Sequence, residues 1–464
     1  MQQLFREEAA RIADQTLDQR SFYKNVIGMM VPIAGQNLIT IAVNIIDSLM
    51  LRRVSEAALS ASSLAGQYFN LFQIFCLGLG TGASILASRY WGRKDLVNLR
   101  KTITIMFRIT LFFAVIFAAA SFAAPAWIMR MYTDEEELIG LGAVYLRIGA
   151  LTFFFHGLAQ TGTIVMRSVR KVGFSFAVSV GAFFLNVVGN YILIYGKLGL
   201  RPLGIAGASL ATTIARGFEF AMIFGYMVLK ERDIGYRVQH LALKTADLLP
   251  EYLRICLPVL LSDGILALGN NVITMIIGRM GTAFIAATAV STAVERVCTA
   301  WSSGIGQTGA VMIGNTIGEG KRDLVCQQGR TLLKLGTAVG LLACLVILAL
   351  RAPVLAMYRF EGETLAISRQ LLNVSSILVI FQCIGSILTK GVFRGGGDTK
   401  VLLAVDNCFL WLCSIPLGAI CGLRIGLPAG VVYFFLNIHH LLKSIWGVFH
   451  LRKNNWIEKI DSIE

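Results

Sequence analysis

The strongest constraint on this chain is a series of apolar runs, each long enough to cross a bilayer. A spanning helix needs about 20 mostly apolar residues. Such runs fall at 26–51, 59–87, 105–127, 141–165, 174–195, 204–229, 252–278, 282–313, 335–354, 371–388, 401–421 and 427–449. In lipid a segment must satisfy its own backbone N–H and C=O groups, so each run is expected to be a helix. Composition agrees: 56% of the 464 residues are hydrophobic, 15% are charged and the mean hydropathy is +0.68. A soluble protein of this length is thereby excluded. The expected fold class is an all-α integral membrane protein with twelve transmembrane helices.

Charge sets the orientation. With both ends placed inside, most of the 42 Lys and Arg fall in inner segments, among them Arg89, Arg93, Lys94, Arg100 and Lys101. The positive-inside rule fixes that arrangement. The net charge of +15 then needs no nucleic acid to explain it, and the acidic run DEEE at 134–137 lies outside. The opening segment MQQLFREEAARIADQTLDQR lacks an apolar core and a cleavage pattern, so it reads as a cytoplasmic lead-in. Nine cysteines without CxxC spacing read as small core residues. No GxxxxGK[ST] loop is present, which argues against an ATP-driven pump. No convergent His, Asp and Ser groups suggest an enzyme, and no cofactor is expected.

The chain repeats itself. Pro32 and Pro258 each open a span, and GLGTGASILASRYWGRKDLV from Gly78 resembles GIGQTGAVMIGNTIGEGKRDLV from Gly304, 226 residues later. MRSVRKVG from Met166 meets FRGGGDTK from Phe393 at an offset of 227. Six spans per repeat give both copies the same orientation, so their axis should run along the membrane normal. The expected organisation is a segment 1–25, a lobe 26–230, a cytoplasmic linker 231–250, a second lobe 251–450 and a tail 451–464. The two pseudo-symmetric six-helix lobes would enclose a central cleft.

Motifs in both halves carry a family resemblance: VPIAGQNLITIAVNIIDSLML, GLGTGASILASRYWGRKDL, FLNVVGNYILIYG, LGIAGASLATTIAR, GVFRGGGDTK and WLCSIPLG. Together they resemble the multidrug and toxic compound extrusion (MATE) family. The resemblance implies the MATE fold and a secondary antiporter that exports cationic or amphipathic compounds in exchange for H⁺ or Na⁺. It also implies a monomer surrounded by membrane lipid in a bacterial-type inner membrane. The alternative is a flippase for a lipid-linked precursor, a related branch of the superfamily.

An ionisable group within a span is a functional candidate, because burying it in lipid costs about 2.5 to 3.5 kcal/mol. Asp47 is the sharpest; it either turns outward to Arg52 or Arg53 or serves the site. The resemblance implies the latter, matching it to the family's coupling acid, with transient Na⁺ as one occupant. Asn186 and Asn190, four apart, share a helix face, as an interhelical hydrogen-bonded pair or as hard oxygen ligands. Asn190 stands where many members of the family have an aspartate, which leaves the choice between H⁺ and Na⁺ open. Thr212 matches a hydroxyl near the same cluster, or bonds its own helix.

Asp263, Glu295 and Asp406 are candidates for a substrate route. Glu295 adjoins Arg296 and could compensate it only with a third partner or a bent geometry, since helix neighbours point about 100° apart, and Asp406 has no basic neighbour within its span. Arg216 and Glu219, three apart, read as a structural pair. The adjacent His439 and His440, with His156 and His450, form no catalytic constellation. Arg394, Gly395, Gly396, Gly397 and Asp398, with Arg167 in the first repeat, are expected to form paired hinge loops. There the glycines permit positive φ, and Asp398 caps the next span.

Overall fold

The computed structural model describes residues 2–358, 360–453 and 456. The first half holds α1 (Gln2–Arg52), α2 (Glu56–Gly92), α3 (Leu96–Ala123), α4 (Pro125–Arg130), α5 (Glu136–Ile148), α6 (Ala150–Ser168), α7 (Val172–Tyr195) and α8 (Ile205–Gly225). The second holds α9 (Leu249–Gly278), α10 (Thr282–Gly318), α11 (Arg322–Tyr358), α12 (Gly362–Ser386), α13 (Arg394–Gly396), α14 (Thr399–Cys408), α15 (Ile415–Ala419), α16 (Ala429–Leu436) and α17 (Ile438–Lys453). No strand occurs among the described residues. Wider π turns interrupt the second half at Ile387–Phe393, Phe409–Ser414 and Ile420–Ile425.

Nine described helical runs are long and apolar enough to cross a membrane, and α5 with α6, bent by 50°, makes a tenth if counted as one span. The other two expected runs are helical but differ in kind. Arg216 and Glu219 sit within α8, and the last run breaks at Asn437 between α16 and α17. Pro32 and Pro258 lie inside α1 and α9 rather than at their starts. Residues 454, 455 and 457–464 of the expected tail lie outside the described residues.

Glycine lets the two halves meet closely. Helix α1 packs on α10 and α2 on α9, while α2 also packs on α10. If the repeat carries α1 onto α9 and α2 onto α10, the first two contacts are images of each other and the third is its own image. Individual residues obey the same rule. A Cβ on Gly78 would lie 3.0 Å from the Leu260 backbone, and one on Gly304 would lie 3.1 Å from Ala34. Both members of the second pair sit 226 residues from their counterparts in the first. Gly314 faces Ser88 across the same interface, and that pair maps onto itself, so the approximate two-fold axis passes beside it.

The expected linker, 231–250, is held against α3. Arg100 Nε donates to the Ile234 carbonyl at 2.8 Å, and Arg108 Nη2 donates to the carbonyls of Leu241 and Leu243 at 2.7 and 2.9 Å. Tyr236 is fully buried beneath. Lys101 beside Asp247 holds that exposed carboxyl below its usual range.

Candidate functional site

Four polar residues from three helices join in one hydrogen-bonded run. Asn190 Nδ2 on α7 donates to the Asp47 carboxylate on α1 and, at 3.2 Å, to Asn186 Oδ1 one turn away. Asn186 Nδ2 donates in turn to Thr212 Oγ1 on α8 at 3.2 Å. Asp47 therefore engages α7 rather than Arg52 or Arg53, and Thr212 receives a bond from another helix. Asn186 and Asn190 are buried, while Asp47 is partly exposed. Asn190 Oδ1 is buried without a hydrogen-bond partner among the described residues. Asn190 Nδ2, not this oxygen, faces the Asp47 carboxylate, so the run as it stands suits a proton on Asp47, and the Asn190 amide would have to turn over to offer a small hard cation a second oxygen. Among the described residues no group of three His, Cys, Asp or Glu could hold a metal.

Asp47 opens onto a cavity of about 290 Å³, bounded also by Asn44, Asn70, Thr212 and Arg216. A larger cavity of about 420 Å³ lies beside it, and Val43, Thr212 and Arg216 line both. Thr212 and Arg216 are four apart on α8 and so share one face. Thr212 ends the Asp47 run, and Arg216 begins another, donating to Glu219 Oε2 at 2.7 Å. Ser179 donates to Glu219 Oε1 at 3.3 Å and accepts from Gln36 Nε2 at 3.4 Å. Arg167 closes the run with bonds to the side-chain oxygens of Gln36 and Gln307. The larger cavity thus has Arg167, Arg216 and Arg296 on its wall against one carboxylate, Glu219. The expected i,i+3 pair forms, and its place is the cavity wall.

The remaining expected residues fall elsewhere. Asp263, Glu295 and Asp406 line neither cavity. Asp263 accepts from Arg394 at 3.0 Å. Asp406 is not isolated, because Lys443 on α17 reaches it at 2.7 Å. Glu295 does not compensate Arg296; it accepts from Ser375, and from the Tyr433 hydroxyl at 2.8 Å. Neighbours on a helix point about 100° apart, and Arg296 accordingly faces the larger cavity.

The paired hinges are also revised. Arg167 is a buried residue of the last turn of α6, and Arg394 is buried in α13. Of the three glycines only Gly397 has positive φ, +86°. Gly395 and Gly396 are helical and allow close packing: a Cβ would lie 2.7 Å from the Ala310 carbonyl oxygen or 2.8 Å from the Trp456 ring. Asp398 holds the N-cap position of α14 but makes no side-chain capping hydrogen bond among the described residues, and its carboxylate faces His450 at 3.4 Å.

Arg216, Arg296, Gln36 and Gln307 are absent from the expected site. The available signal was a basic residue in mid-span, which marks a functional place as an acid does.

Comparison with known proteins agrees with this architecture. The MatE family model matches residues 32–192 and again 258–420, once in each repeat. The chain is 21% identical to the uncharacterized transporter YisQ of Bacillus subtilis, covering 89% of this chain and 90% of that protein. It is 25% identical to the probable multidrug resistance protein NorM of Bradyrhizobium diazoefficiens, covering 90% of each. The crystal structure of the Vibrio cholerae MATE transporter VcmN in its bent form superposes with a TM-score of 0.86 at 18% identity, covering 96% of this chain and 99% of VcmN. With its family model matched in both repeats and its apolar helices in place, the chain belongs to the MatE family and is a multi-pass membrane transporter, not an enzyme.

Proposed function

We propose that this transporter is a secondary exporter of small cationic or amphipathic molecules, driven by inward H⁺ or Na⁺ taken up at Asp47. The observation that carries this reading is the Asp47–Asn190–Asn186–Thr212 run, whose two ends, Asp47 and Thr212, line a cavity that shares Thr212 and Arg216 with the larger one. A cationic end of the substrate and the coupling ion would compete for the same carboxylate. Protonation of Asp47, or Na⁺ held by its carboxylate once the Asn190 amide turns its Oδ1 toward it, cancels the attraction for the substrate and favours release. One net charge moving through 100 mV supplies about 2.3 kcal/mol, or about fortyfold in concentration, for a substrate without net charge; a one-for-one exchange with a monovalent cation moves no net charge and draws on the ion gradient alone.

The lobes 26–230 and 251–450 would rock about the α1, α2, α9 and α10 interface, with both ends of the chain cytoplasmic. A single chain would be the working unit, a reading supported by its own helices lining both cavities. The lipid-precursor flippase gains no support from the names of the relatives.

Everted membrane vesicles test the proposal. Wild type should accumulate ethidium when energised, and Asp47→Asn should fall to the level of vesicles without the protein. Undiminished uptake by the variant would overturn the assignment. Dependence on Na⁺ at fixed pH, or on pH without Na⁺, identifies the ion.

A further inference from the structure

The larger cavity is rich in hydrogen-bond donors and positive charge. Arg167, Arg216 and Arg296 face Glu219 as the one acid on the wall, and Glu219 already receives Arg216 and Ser179. Arg167 is bound only to neutral amide oxygens, and its Nε is buried without a partner among the described residues. Asn37 Nδ2, on the same wall, is likewise an unpartnered buried donor. The Arg296 guanidinium is exposed to the cavity and has no hydrogen-bond or ion-pair partner among the described residues. Intramembrane charge is kept where it faces a cavity or a partner, and planar guanidinium groups pair best with carboxylates and similar oxyanions.

The smaller cavity has the opposite character. It is bounded by Asp47 and by neutral polar groups, with Arg216 at its junction with the larger one. The two compartments together present an acid at one end and a cluster of arginines at the other. Their combined size suits a drug-sized molecule.

We infer that the site selects zwitterionic amphiphiles: molecules whose cationic end lies toward Asp47 and whose carboxylate or comparable oxyanion is held by Arg296 with Arg167. This deepens the export reading and rests on it for the direction of transport. It adds to the export of cations a preference that this reading alone does not have, for substrates that also carry an anionic group.

Rhodamine B and its ethyl ester differ only in whether the carboxylate is free, so they isolate that group. Binding of each dye to the purified full chain at neutral pH can be followed by fluorescence anisotropy. Wild type should bind the free acid about tenfold more tightly than the ester, as expected for a hydrogen bond to a charged group. Arg296→Gln, at a position without a structural partner, should bring the two dyes within about twofold by weakening the acid alone. Arg296→Lys should retain most of the preference. Equal binding by wild type, a preference for the ester, no binding of either dye, or an acid preference unchanged in Arg296→Gln would each overturn the inference. Gradient-driven, Asp47-dependent uptake of the ester without an acid preference would overturn it and leave the export reading standing. An acid preference lost in Arg296→Gln, without gradient-driven uptake of either dye, would support it while the export reading fails.

Discussion

Arg167 and Arg394 occupy equivalent places in the two repeats, 227 residues apart, and both are buried. Arg394 bonds Thr81 at 3.1 Å and Arg167 bonds Gln307, and Thr81 and Gln307 are themselves 226 apart. The second bond is where the halves part. Arg394 meets the carboxylate of Asp263, whereas Arg167 meets the amide oxygen of Gln36. The scaffold is common to both halves, but only one of them supplies a counter-charge. The half without it is the half whose arginine faces the larger cavity. The Asp47 cluster shows the same asymmetry: at the offset of 227, Asn186 and Asn190 correspond to Cys413 and Leu417, in a stretch where α7 is replaced by π turns and the Pro416-containing α15.

The largest effect should come from removing the counter-charge that remains. Asp263→Asn leaves Arg394 buried and unpaired, which typically costs about 3 to 5 kcal/mol. Gln36→Leu removes only a neutral acceptor from Arg167 and should cost about 1 to 3 kcal/mol. Thermal unfolding of the two variants in one detergent measures the difference. Replacing the pair outright, with Asp263→Leu and Arg394→Met together, should recover most of the loss, because an apolar pair of similar volume avoids desolvation. An Asp263→Asn protein no less stable than Gln36→Leu would refute a structural role for the Arg394 ion pair.

The reciprocal experiment makes the first half resemble the second. Gln36→Asp gives Arg167 a carboxylate partner and should stabilise the fold by about 1 kcal/mol, the margin of a charged over a neutral hydrogen bond. It should also weaken binding of the free-acid dye, since the new carboxylate competes for the guanidinium. A more stable protein with unchanged dye preference would remove Arg167 from the oxyanion site and leave Arg296 alone in it.

What the sequence made legible follows from what spacing encodes. Apolar length placed ten of the twelve expected spans if the bent pair α5 and α6 counts as one, and the offset of 226 relates the contact of Gly78 with Leu260 to that of Gly304 with Ala34 without saying that either forms. The spacing of Asn186 and Asn190 fixed their common face, and the structure joins them to Asp47 and Thr212. Spacing within one helix does not say which helix comes opposite. The partners of Glu295 lie 80 and 138 residues away, and that of Asp263 lies 131 away. Asp406 looked isolated because Lys443 belongs to α17. The π turns add a second obscurity: each inserts a wider turn and rotates the residues that follow. Arg394 directly follows one of them, Ile387–Phe393, so a straight-helix reading of its neighbourhood misplaces it.

The smallest differences should appear at the backbone positions that end the equivalent helices. Gly397 and Arg170 are 227 apart, and both are left-handed, with φ of +86° and +63°. Gly397→Ala should destabilise by about 1 to 2 kcal/mol from backbone strain alone. It also drives a Cβ into the Arg89 guanidinium, which donates to the Gly396 carbonyl at 2.8 Å. The converse, Arg170→Gly, relieves a strain of about the same size. Against that gain stand the greater unfolded-state freedom of glycine, about 0.4 to 1 kcal/mol, and the Arg170–Glu319 contact. That ion pair is 3.8 Å long with both side chains about one-third exposed, so it contributes at most about 1 kcal/mol. The terms nearly cancel, and the thermal midpoint of Arg170→Gly should stay close to wild type while that of Gly397→Ala falls. A loss in Arg170→Gly as large as in Gly397→Ala would mean that the contact with Glu319 across the two halves, rather than local backbone conformation, holds this end of α6 in place.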